Sequence, residues 1–174
     1  ARRTFGRFIF GIINAVCKIY LTVIRGTPVV VQLLIFYFII LVSANNIVVG
    51  FVTFGINSGA YVAEIFRAGI MSVEAGQMEA GRSLGFNYVQ TMWHIIIPQA
   101  FKNVLPALVN EFITLLKETS VVGYIALQDI TKGAYIIIGR TYSPFMPLFA
   151  IALVYLILVM FFTWLVGKLE RRLR

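Results

Sequence analysis

Two pairs of polar residues stand inside apolar runs. Asn57-Ser58 interrupt "IVVGFVTFGINSGAYVAEIF" (47–66), and Asn110-Glu111 interrupt "AFKNVLPALVNEFITLL" (100–116). A charged side chain at the centre of a bilayer costs about 2.5–3.5 kcal/mol on insertion scales, so an acid kept there is a functional candidate. Counted from the start of its run at Ala100, Glu111 lies about 16 Å in; counted from Ile47, the Asn57–Gly59 cluster lies about 15 Å in. Both depths are near a bilayer midplane, where sites between interrupted helices are common. The chemistry open to these groups is recognition. An ionised Glu111 favours a ligand with a cationic side chain, and Asn57, Ser58 and Asn110 supply hydrogen bonds. A second reading of Asn110 and Glu111 stands level with this one: hydrogen bonding between helices or across a subunit interface. Bond-making chemistry finds no support. His94 is the only histidine and has no acid or nucleophile spaced to work with it. Cys17 is alone, which excludes a disulfide framework and a cysteine-based metal site.

The elements that carry these residues are membrane helices. Of 174 residues, 60% are hydrophobic and only 13% charged, against about 25% charged in soluble domains. The chain reads as one all-α polytopic membrane domain over 1–174. Four runs are long enough to enter a bilayer: 28–44, 47–66, 100–116 and 147–167. "RGTP" (25–28) reads as a helix start, with Thr27 as cap and Pro28 in the first position. A fifth stretch, 8–24, contains Asn14 and Lys18 and is flanked by arginines; it is expected as an amphipathic helix within an inner-surface segment, 1–27. With 1–27, 67–102 and the basic tail 168–174 inside, twelve of the fifteen lysines and arginines fall on the cytoplasmic side. The net charge of +8 is thereby explained without nucleic acid. Gly55, Gly59 and Pro106 are expected to permit close approach, unwinding or bending within the spans. Glu64 and Arg67 are expected to pair, and 118–146 to form a partly re-entrant outer gate.

Between the second and third runs lies a polar stretch, "EAGRSLGFNYVQTMWHIIIPQA" (79–100). Helix formers fill 72–84, Gly85 allows a sharp turn, Asn87 can cap a second short helix, and Pro98 is expected to end it. Two short helices at a fixed angle on the cytoplasmic face make a rigid knob, able to receive force from a soluble partner.

This stretch resembles the EAA loop of ABC-importer permeases. Glu79-Ala80-Gly81 is followed after three residues by Gly85, and after nine more by Ile95, Ile97 and Pro98. Gly81 stands where the pattern has alanine, and Ile97 where it has leucine. Further stretches resemble the polar amino acid branch of that family: "RGTPVVVQLLIFYF" (25–38), "INSGAYVAEIFRAGI" (56–70), "GQMEAGRSLG" (76–85), "PALVNEFITLLKETS" (106–120) and "LERRL" (169–173). The resemblance implies a type I importer permease core in the bacterial inner membrane, taking up polar amino acids; with the charge of Glu111, basic ones are expected. Glu79, Ala80, Gly81, Gly85 and Ile95 of the 74–97 loop, with Pro98 just after it, would contact the ATPase. It further implies a second permease subunit, identical or not, two ATPase subunits and an extracytoplasmic amino-acid-binding protein. No G-x-x-x-x-G-K-[ST] loop is present, so ATP and magnesium are expected on the partner and no cofactor in this chain. The family also has a span ahead of the segment that begins at Ala1 and a longer excursion than "SANNIV" (43–48), from which missing residues are expected. An ion-coupled transporter or channel using Glu111 is the rival reading. A membrane enzyme would need clustered His, Asp, Glu, Ser or Cys groups.

Overall fold

Pro28 takes an extended backbone (φ −63°, ψ 137°) and separates two helices of the first unit. The computed structural model describes the backbone of residues 2–173 and the side chains of 7–168. The tail side chains from 169 on, and those of Arg2 and Arg3, lie outside the described residues. The chain divides into two units, residues 1–61 and 62–174.

In the first unit, α1 runs Arg2–Gly26 and α2 Val29–Ile35, the latter continued by a π turn, Phe36–Ile40. Thr27 does not cap α2: its hydroxyl donates backwards to the Val23 carbonyl at 2.8 Å and closes α1 instead. Next comes α3, Asn46–Met71, which enters the second unit after Tyr61. Val49, Thr53, Asn57 and Ala60 are buried in this unit, a stripe spaced three and four residues apart on one face, with Gly50 and Phe54 buried beside it. The helix is continuous through Gly55 and Gly59, so the expected unwinding is not present. Close approach occurs at Gly59, where a Cβ would lie 3.2 Å from the Tyr20 hydroxyl, while Gly55 faces open space.

The second unit holds the rest of α3 and five further helices: α4 (Ala75–Ser83), α5 (Tyr88–Thr91), α6 (Ile97–Glu118), α7 (Ile130–Thr141) and α8 (Phe145–Leu173). A π turn, Met92–Ile96, joins α5 to α6. Pro98 therefore does not end the elbow helix. It sits in the first turn of α6, where a missing N–H is tolerated, and the π turn just before it shifts the hydrogen-bond register. Pro106 likewise leaves α6 unbroken. The bend falls later, after a 3-10 turn at Thr119–Ile125: Ala126 is left-handed (φ 60°), and α7 sets off at 50° to the preceding helix. α8 packs on α6 and α7, with Phe162 edge-on to Phe112 at 5.4 Å. The end of α3 meets α6 at Gly69, where a Cβ would come within 2.1 Å of Val104 Cγ2.

Among the described residues three helices are long and apolar enough to cross a membrane: Arg7–Gly26, Asn46–Met71 and Phe145–Lys168. The bent pair Tyr88–Ile125 and Ile130–Thr141 makes a fourth if counted as one span. The number of candidate spans agrees with expectation, but the stretches that have the length of a span differ. The run at 28–44 yields only the short apolar helix Val29–Ile40, about 18 Å long against a core of about 30 Å. By contrast 8–24, expected on the inner surface, lies in a helix that meets the length and composition of a span.

Candidate functional site

Gly85 closes α4 with a left-handed turn (φ 87°) that a side chain would strain. The Gly85 N–H donates to the Arg82 carbonyl at 3.0 Å and the Phe86 N–H to the Gly81 carbonyl at 3.1 Å, the paired bonds of a Schellman stop. Two residues on, Asn87 opens α5 with a reciprocal capping box. Its side chain accepts from the Gln90 N–H at 2.9 Å, and the Gln90 side chain accepts from the Asn87 N–H at 3.0 Å. A stop and a start so close together hold α4 and α5 at a set angle.

Gly81 is buried in the crook of this elbow. A Cβ there would stand 2.4 Å from Thr91 Cγ2 and 3.0 Å from Ile95 Cδ1. Glycine at this place is thus a packing requirement set by Thr91, which is itself fully buried. The elbow is braced to its neighbours by amides: Gln99 donates to Gln77 Oε1 at 3.2 Å, and Asn103 donates to the Ser72 hydroxyl at 2.9 Å. Glu79, Ala80, Gly85 and Pro98 are exposed and Ile95 is half-buried. The outer surface is apolar for a loop, with Leu84 76% and Val89 70% exposed beside Tyr88 and Trp93. His94 turns its Nδ1 to the Gln90 carbonyl at 3.0 Å, a structural use.

The intramembrane polar residues separate into their two units. In the first, Asn57 is 2% exposed and donates its amide to Gln32 Oε1 at 3.0 Å, while its own Oδ1 has no partner among the described residues. Gln32 in turn directs its amide nitrogen at the Ile24 carbonyl (2.7 Å), the Thr27 carbonyl (3.0 Å) and the Thr27 hydroxyl (2.7 Å). These are carbonyls orphaned where α1 stops. Gln32 is therefore a strap across the helix break. Reading the sequence missed it, although one amide in "VVVQLLIFYF" was the available signal. Beside it, Tyr20 donates to the Ile56 carbonyl at 2.6 Å, and the Arg25 guanidinium lies 5.7 Å from the Tyr61 ring centre. Ser58 is half-buried on an adjoining face.

In the second unit Glu111 is half-buried and Asn110 exposed. Consecutive helical residues point about 100° apart, so these two do not share one face. Ala100, Val104 and Ile113 form the buried side of α6. Near the end of α3, Glu64 and Arg67 form the expected ion pair.

Residues 4–174 match the family described as binding-protein-dependent transport system inner membrane component. The arginine transport system permease protein ArtQ of Bacillus subtilis (strain 168) is 40% identical over 95% of this chain and 83% of its own length. The glutamine transport system permease protein GlnP of Escherichia coli (strain K12) is 36% identical over 99% of this chain and 80% of its own. A crystal structure of an amino acid ABC transporter with histidines superposes with a TM-score of 0.84 at 46% identity, over 89% of this chain and 74% of that one. These matches run through the elbow and the spans alike. The chain belongs to the binding-protein-dependent inner membrane transport components, the multi-pass permease subunits of ABC importers.

Proposed function

We propose that the chain forms the translocation path of an ATP-driven importer of polar amino acids, with cationic amino acids among its cargo. The observation that carries this reading is the elbow: a Schellman stop, a capping box and an apolar outer surface, continuous through a π turn with α6. A displacement of its tip therefore reaches the helix that bears Glu111. Relatives named for arginine and glutamine transport support an amino-acid cargo. The partners are two ATPase subunits, which hold ATP and magnesium, a second permease subunit and an extracytoplasmic binding protein. The elbow faces the cytoplasm and seats in the ATPase. Glu79, Ala80, Gly81, Gly85, Ile95 and Pro98 shape that contact, Gly81 from inside and the others at or near the surface.

Glu111 supplies the negative charge that selects a cationic side chain, while Asn110, Ser58 and Asn57 each offer hydrogen bonds to cargo on the translocation path. Asn57 contributes its unpartnered Oδ1, since its amide is committed to Gln32. Reconstitution with the ATPase and binding protein, followed by uptake of a panel of amino acids, tests the whole reading. Uptake should require ATP and the binding protein. Flux through this chain alone without ATP would instead favour the ion-coupled alternative. Glu111→Gln should lower uptake of arginine or lysine by about tenfold, a loss of one charge-assisted hydrogen bond, while sparing glutamine. Equal loss for both would refute charge selection.

A further inference from the structure

The turn after α6 and the start of α7 enclose a half-open cavity of about 470 Å³, within the roughly 300–1,000 Å³ of small-molecule sites. Ser120, Tyr124, Asp129, Thr131, Lys132 and Tyr135 are in its wall. Asp129 is the N-cap of α7: its Oδ1 accepts from the Lys132 backbone N–H at 2.8 Å. Its Oδ2 is buried and has no partner among the described residues. A buried acceptor left unpaired is penalised by about 1–3 kcal/mol, and more when charged, so this oxygen favours an incoming donor. Lys132 is exposed and lines the same cavity.

The wall of one cavity thus holds a carboxylate whose buried oxygen has no partner among the described residues, a lysine and several hydroxyls between two tyrosines. That set complements a zwitterion. We propose that this pocket is a second amino-acid site, distinct from Glu111, which takes the α-ammonium group on Asp129 and the α-carboxylate on Lys132. The groups it reads are common to all α-amino acids, so it holds cargo without choosing among side chains, and selection is left to Glu111. The proposal rests on the importer reading above and extends it.

Equilibrium dialysis of labelled L-arginine against the assembled transporter in nanodiscs, without binding protein, tests it. Asp129→Asn removes the charge but keeps the cap, because asparagine caps as well as aspartate; thermal unfolding confirms that α7 survives. Asp129→Asn and Lys132→Met should each weaken one class of arginine sites by about tenfold, the scale of one charge-assisted contact, and Glu111→Gln should leave that class intact. Agmatine, which has the guanidinium but no carboxylate, should fail to compete at that class. Arginine binding unchanged in both pocket variants would overturn the proposal. So would a fall in binding-protein-stimulated ATP hydrolysis with arginine binding unchanged, which would make the pocket a docking surface. Either result leaves the importer reading intact; that fails separately, if the wild-type complex shows no ATP-dependent amino-acid uptake.

Discussion

At the scale of single residues, Gly81 and Gln32 have the clearest physical roles. Gly81→Ala places a methyl group against Thr91, and overpacking of this kind costs about 1–3 kcal/mol. Thermal stability of the elbow and ATP-driven uptake should both fall, and adding Thr91→Ala should restore most of the loss. A double variant no better than Gly81→Ala alone would disprove that steric account. Gln32→Leu removes the donor that serves the Ile24 and Thr27 carbonyls and the acceptor that serves Asn57. Each buried group left unpaired costs about 1–3 kcal/mol, so the assembled complex should unfold at a visibly lower temperature in detergent. Gln32→Leu with an unchanged melting temperature would mean that water replaces the strap.

Among the elements, the elbow and α6 act together because no break separates them. α5, the π turn and α6 follow without a gap from Tyr88 to Glu118. A π turn is a common device at functional sites, and here it admits Pro98 without ending the helix. The angle at the tip depends on the Asn87–Gln90 capping box. Asn87→Ala should destabilise the elbow by about 1 kcal/mol and uncouple ATP hydrolysis from uptake, seen as hydrolysis retained while transport per ATP declines. Asn87→Asp, which preserves the cap, should keep coupling. Parallel loss of both activities in Asn87→Ala would indicate failure to assemble rather than a loosened lever.

For the whole molecule, the test is sidedness. Ser83 is exposed at the end of α4, and with Cys17→Ser a single cysteine at position 83 reports which side the elbow faces. A membrane-impermeant maleimide should label it in inside-out vesicles and not in intact cells, with protection when the ATPase is bound. Labelling from outside would contradict both the charge count and the importer reading. α8 gives the complementary view: over Phe145–Lys168 it is strongly apolar and largely exposed, which suits a helix that faces lipid or another subunit.

Composition determined, without coordinates, that this is an all-α membrane protein, and the motifs that resemble ABC-importer permeases marked a permease with a two-helix elbow turning at Gly85. Those signals are local: apolar run length, a glycine where φ must be positive, an asparagine two residues later to start the next helix. Tertiary structure decided what depends on contacts across helices. It showed that Gly81 is demanded by Thr91, a residue ten positions away, and that Gln32 straps the break beside Pro28. It also changed which runs have the helix length of a span. The run at 28–44 is apolar enough, but its helix stops after the π turn at Ile40, whereas 8–24 falls in a long helix despite Asn14 and Lys18. Hydropathy measures a stretch by itself. Where a helix stops, and which polar groups meet inside the membrane, is set by the partners that satisfy its backbone and side chains.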